Sequence, residues 1–111
     1  MKIREVLMTI AVLYPIAGYS ASFDCQKATQ ADEKAICANR SLNDMDVVMA
    51  TKYAFLLGLF PMGTRGEMMD AQKTWLYSRQ KCGSDSRCLT KSYEDRLQQL
   101  DKIYAGIDKP L

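Results

Sequence analysis

Four cysteines set the terms on which this chain can fold. Cys25 and Cys37 lie twelve positions apart and Cys82 and Cys88 six, two local pairs in a chain of 111 residues. A chain this short buries only a small core, and small domains of oxidising compartments supplement such cores with covalent staples. The sequence also contains no histidine. Ser–His–Asp and Cys–His nucleophile pairs and imidazole ligation of zinc therefore fall away. What remains points to a binding module and not an enzyme, with no catalytic residues, no cofactor and no metal.

The compartment follows from the N-terminus. Lys2 and Arg4 precede an apolar stretch over residues 6 to 17, and the small residues Gly18, Ser20, Ala21 and Ser22 follow, the three-part layout of a secretory signal. The stretch is too short to span a bilayer. We expect a signal peptide over residues 1 to 20 with cleavage at 20 to 22, no stable membrane span afterwards, and a periplasmic or secreted bacterial protein. Ser22-Phe23-Asp24 lacks the residues that would make Cys25 a lipidation site. The remaining chain carries thirteen basic and twelve acidic side chains with no long run of either sign, so nucleic acid is not the expected partner.

Helical periodicity dominates from residue 23 to about 105, with no alternating strand pattern and no internal repeat. The expected fold is all-α, one disulfide-stapled bundle of about four helices, one short and three longer, with a tail at 106 to 111. Thr29 is the expected N-cap of a short helix over about 30 to 38, with Asp32 and Glu33 at the positive end of its dipole. Ser41 is the expected cap of the second helix, with Asp44 three residues on and Leu42, Met45, Met49, Tyr53 and Leu56 on one face. Three glycines and Pro61 between Gly58 and Gly66 predict a loop there. A third helix is expected from about Glu67 to Lys81, with Met68, Gln72, Trp75, Arg79 and Cys82 along one stripe. After a tight turn at Gly83 to Ser86, the fourth presents Leu89, Tyr93, Arg96, Leu97, Leu100 and Tyr104.

Helix placement selects among the three possible cysteine connectivities. Cys82 closes one helix and Cys88 opens the next, so the turn between them brings their Cα atoms within bridging range. Residues 25 to 28 are just long enough to run back along the short helix to Cys37. The expected bridges are Cys25–Cys37 and Cys82–Cys88, each contributing roughly 2–3 kcal/mol on the loop-entropy model.

Phe23-Asp24-Cys25, Ala28, Glu33-Lys34-Ala35-Ile36-Cys37, Leu42, Asp46 and Tyr53, followed by Gln72, Trp75-Leu76, Arg79, Cys82, Cys88-Leu89, Tyr93 and Arg96, resemble the lysozyme-inhibitor LprI-like N-terminal domain family over about residues 23 to 100. The resemblance implies a small secreted helical disulfide domain of bacterial envelopes, with inhibition of lysozyme as its activity. Met45 stands where the family usually has Leu, a mild core swap, and Pro61 with its glycines makes the middle segment distinctive.

Asp46, Gln72, Arg79 and Arg96 are polar residues on faces that otherwise read as buried. The expectation is an internal carboxylate–guanidinium–amide network, with Arg79 paired to Asp46, that fixes helix register. Trp75, Tyr53 and Tyr93 read as core aromatics, and Met49, Met68 and Met69 as gap fillers. Leu59, Phe60, Met62 and Arg65 lie in the glycine-bounded segment and are the candidate partner-binding residues, the alternative being that Leu59 and Phe60 fold back over the bundle. The expected function is steric block of the cleft of a lysozyme or other peptidoglycan-cleaving enzyme. The alternatives are an immunity-type protein that neutralises a peptidoglycan-degrading toxin, and an envelope interaction module without inhibitory activity.

Overall fold

A computed structural model describes residues 21 to 107. The expected leader at 1 to 20 and residues 108 to 111 of the expected tail lie outside the described residues. The described chain is all-α. A 3₁₀ turn at Cys25–Lys27 leads into α1 (Ala31–Ala38), α2 (Arg40–Leu57), α3 (Met62–Gln80) and α4 (Ser86–Ala105). No helix among the described residues is long and apolar enough to cross a membrane.

The core is the meeting of four stripes. Leu42, Met49 and Leu56 recur every seven residues along α2, and Leu89, Tyr93 and Leu100 fall on one face of α4; these two helices share the largest contact in the bundle. Met68 and Trp75 come from α3 and Ile36 from α1. Burying a side chain of this size contributes about 1.5–3 kcal/mol, so a core this small leaves room for covalent help. Cys25–Cys37 ties the 3₁₀ turn to the end of α1, with Cα atoms 5.9 Å apart. Cys82–Cys88 clamps the α3–α4 turn at a Cα separation of 5.5 Å. No cysteine is free, which fits a protein of an oxidising environment.

Three boundaries depart from the sequence expectations. Gln30, not Thr29, is the N-cap of α1, and the Glu33 carboxylate reaches back to accept from the Thr29 and Gln30 amides at 3.3 and 3.4 Å. Ser41 lies inside α2. Its cap is Asn39, whose extended backbone ends α1 and whose Oδ1 accepts from the Leu42 amide at 3.2 Å, so one residue serves both helices. A side-chain amide at the junction satisfies a helical N–H that Ser41, one turn position too late, would leave open.

The largest departure is the middle segment. The loop comprises only residues 58 to 61, and α3 starts at Met62, five residues before the expected Glu67. Pro61 stands outside the first helical residue, where its missing N–H costs nothing, and its carbonyl accepts from the Arg65 amide at 2.9 Å. Gly63 and Gly66 are helical and exposed, each costing about 1 kcal/mol relative to Ala, too little to stop a helix whose later turns are packed. Neither has a positive φ, and a Cβ added at either would meet nothing within 4 Å. Gly63→Ala and Gly66→Ala should therefore each stabilise the protein by about 0.4–1 kcal/mol, and the double variant should raise the denaturant midpoint. A neutral or lowered midpoint would return residues 62 to 66 to a loop.

Candidate functional site

Two buried polar clusters and one exposed apolar end account for the chemically distinctive side chains. The first cluster gathers on Arg79, only 4 % exposed on α3. Its Nε donates to Asp32 Oδ2 of α1 at 2.8 Å, and its Nη1 donates to the Tyr93 hydroxyl of α4 at 3.1 Å. That hydroxyl donates to Asp46 Oδ1 of α2 at 2.7 Å, and the Ser22 amide donates to Asp46 Oδ2 at 2.7 Å. Arg79 thus reaches Asp46 mainly through Tyr93, the direct Nη1–Oδ1 distance being 3.8 Å. The expected Arg79–Asp46 pair is secondary to a pair between Arg79 and Asp32, a residue whose place in the first turn of α1 suggested only a role at the helix dipole.

Aromatic rings complete the enclosure. The guanidinium carbon lies 5.7 Å from the ring centroids of both Phe23 and Trp75. Trp75 meets Tyr93 edge-on at 5.1 Å, and its indole N–H donates to the Ser92 carbonyl at 3.1 Å. Burial works against the charge on Arg79, but Tyr93 and Asp32 outweigh it, so its pKa lies above the ordinary arginine value. Burial also raises the pKa of Tyr93, and the Asp46 carboxylate adds to the rise against the opposing pull of Arg79.

The second cluster lies on the same α3–α4 face and contains no carboxylate. Arg96, 3 % exposed, donates from Nε to Gln72 Oε1 and from Nη1 to Gln99 Oε1, each at 3.0 Å. The Gln72 amide in turn faces the Met49 sulfur at 3.4 Å. Burial lowers the Arg96 pKa, with Tyr53 opposing the shift.

The proposed partner-binding residues separate. Met62 is 88 % exposed at the first position of α3, and Leu59 and Arg65 are also exposed. Phe60 is half-buried and packs on the core, so it is part of the lid and not a displayed anchor. A loop side chain has no periodic signal for its direction, which is why the segment could not be divided from sequence. Met69, read as a gap filler, is exposed, because it falls one residue beyond the stripe of Met68. Tyr104 and Phe55 extend the apolar end: both are exposed, and their rings lie 6.1 Å apart across α2 and α4. Phe55 was missed because it sits off the α2 stripe. Among the described residues no three Cys, Asp or Glu side chains gather in a way that could hold a metal ion.

No family model, no curated protein and no solved structure matches this chain.

Removing the Arg79 guanidinium would leave Asp32 and Asp46 buried with no cation between them. Arg79→Met should cost about 3–5 kcal/mol, read from the urea midpoint at neutral pH; a midpoint unchanged from the parent would show that the network carries no stability. Tyr93 generates a pH prediction. In the unfolded chain it ionises near pH 10, whereas in the fold it stays protonated to higher pH. Below about pH 10 its contribution is fully present. Above that the unfolded state holds fewer protons, so stability falls with pH by up to about 1.4 kcal/mol per unit. Tyr93→Phe should lack this one-proton share of the slope in unfolding titrations between pH 9 and 11, and equal slopes in the two proteins would contradict the assignment.

Proposed function

We propose that the chain is a periplasmic inhibitor of lysozyme-type peptidoglycan-cleaving enzymes that blocks the glycan cleft with the apolar end of the bundle. The observation that carries this reading is the exposure of Met62, Phe55 and Leu59, at 88 %, 59 % and 47 %, around a four-residue loop. Apolar side chains displayed together at one end of a small protein are costly in water and mark a contact surface. Two disulfides and the Arg79 network hold the helices that present them, so little conformational freedom would be lost on binding.

The sequence pattern of residues 23 to 100 supports the same class through its resemblance to the LprI-like domains. Arg65, exposed one turn into α3, adds a guanidinium suited to the carboxylates that line glycosidase clefts. An amino-terminal export signal and two closed bridges suit the compartment in which such enzymes act.

The test is the rate of cell-wall lysis by a c-type lysozyme in the presence of the oxidised protein. Stoichiometric protein should suppress lysis. Leu59→Ser combined with Met62→Ser should weaken inhibition by roughly thirtyfold, as loss of an anchor of about 2 kcal/mol requires, while leaving the melting temperature within about two degrees because both side chains are exposed. Undiminished lysis at micromolar excess, or full inhibition by the double variant, would overturn the reading.

A further inference from the structure

Arg79 shows how this fold treats an arginine whose role is internal: one carboxylate at hydrogen-bonding distance, a second at 3.8 Å, a phenol and two aromatic faces. Arg96 is as deeply buried, and of these it has only a phenol within electrostatic reach, that of Tyr53, which makes no hydrogen bond to it. Among the described residues no carboxylate lies within 4 Å of it, and its hydrogen bonds go to two neutral side-chain amides through Nε and Nη1. Nη2 makes no hydrogen bond, yet it is not among the fully enclosed unpaired atoms, so it retains a path to the surface. A buried guanidinium with neutral partners and one free edge is a net positive charge that the protein leaves uncompensated.

Arg96 also lines a pocket. A space of about 290 Å³ opens between α3, α4 and the 58 to 61 loop, with Phe60, Met68, Ala71 and Ile103 contributing an apolar lining beside Arg96. Glu67, exposed, stands at its rim. At about 290 Å³ the space lies at the small end of the range for ligand pockets, about 300–1,000 Å³, and suits a short ligand. An apolar wall with one convergent cation describes a ligand with a single anionic head and a short hydrocarbon body.

We propose that this pocket binds a small amphiphilic carboxylate, its head on the Arg96 Nη2 edge and its alkyl chain against Phe60, Met68 and Ile103. The Gln72 and Gln99 amides hold the guanidinium in place without neutralising it, so the pairing is left to the ligand. Glu67 is not the missing counterion: its carboxylate stays beyond ion-pair distance and repels the head group at the entrance.

Calorimetry on the oxidised full-length protein with octanoate, octanol and octylamine tests the site without any substitution. Octanoate should bind with one-to-one stoichiometry and at least about tenfold more tightly than octanol, as a charge-assisted pair with a partly buried guanidinium requires, and octylamine more weakly than either. Arg96→Met should erase the preference for octanoate over octanol. Glu67→Gln, at an exposed position, should tighten octanoate by severalfold and leave octanol unchanged. Ala71→Leu narrows the pocket and should weaken octanoate and octanol together, which keeps the site testable if the Arg96 variant does not fold. Equal affinities for octanoate and octanol in the parent protein, or no binding of octanoate at millimolar concentration, would overturn the proposal.

Discussion

One guanidinium joins all four helices. Arg79 belongs to α3, takes Asp32 from α1, and through Tyr93 of α4 reaches Asp46 of α2, which also receives the amide of Ser22. Arg79, Asp32, Tyr93 and Asp46 are each almost wholly buried, so each depends on the others for the hydrogen bonds it gave up to water. Apolar stripes can slide by a turn and still bury similar area. A planar guanidinium that must meet a carboxylate and a phenol at about 3 Å cannot, and this is how a small core obtains a single register. The network's value lies in specificity more than in net stability, since ion pairs in low dielectric recover little beyond their desolvation cost.

Much of this was legible in the sequence, and the parts that were not share a cause. The apolar positions of α2 and α4 announce themselves because a period of 3.6 is a local signal that packing only reinforces. The bridges were legible because short turns admit few connections. Asp32 was not, since a carboxylate in the first turn of a helix has a sufficient local explanation and nothing nearby hints at a partner 47 positions away. The Tyr93 hydroxyl is similar: an aromatic on an apolar stripe declares its ring and conceals its oxygen. Residues 62 to 66 misled for the opposite reason. Glycine and proline are weak local penalties, and a helix packed through Met68 and Trp75 extends across them. Within the candidate site, Met62 and Leu59 were named from composition, whereas the inward turn of Phe60 and the outward turn of Phe55 are tertiary facts with no local trace.

The two arginines of the α3–α4 face differ in how the protein meets their charge. Arg79 is saturated with protein partners. Arg96, seventeen positions later, is held but not neutralised, beside an apolar pocket and beneath the displayed loop. The same side chain type is closed at one level of the bundle and left open at the next.

Both disulfides lie toward one end of the bundle, where α1 gives way to α2 and α3 turns into α4. The opposite end, where α2 passes through residues 58 to 61 into α3, has no covalent tie among the described residues. The α3–α4 pair is therefore fixed covalently at the Cys82–Cys88 turn, whereas toward the loop α4 is held by non-covalent contacts such as the Lys52–Asp101 ion pair at 2.7 Å and the Phe55–Tyr104 ring pair. An oxidant or reductant reaching the cysteines would act at the far end of the bundle from the exposed Leu59 and Met62 side chains, so a change in the bridges and a contact at the apolar end would be felt at opposite ends of the same helices.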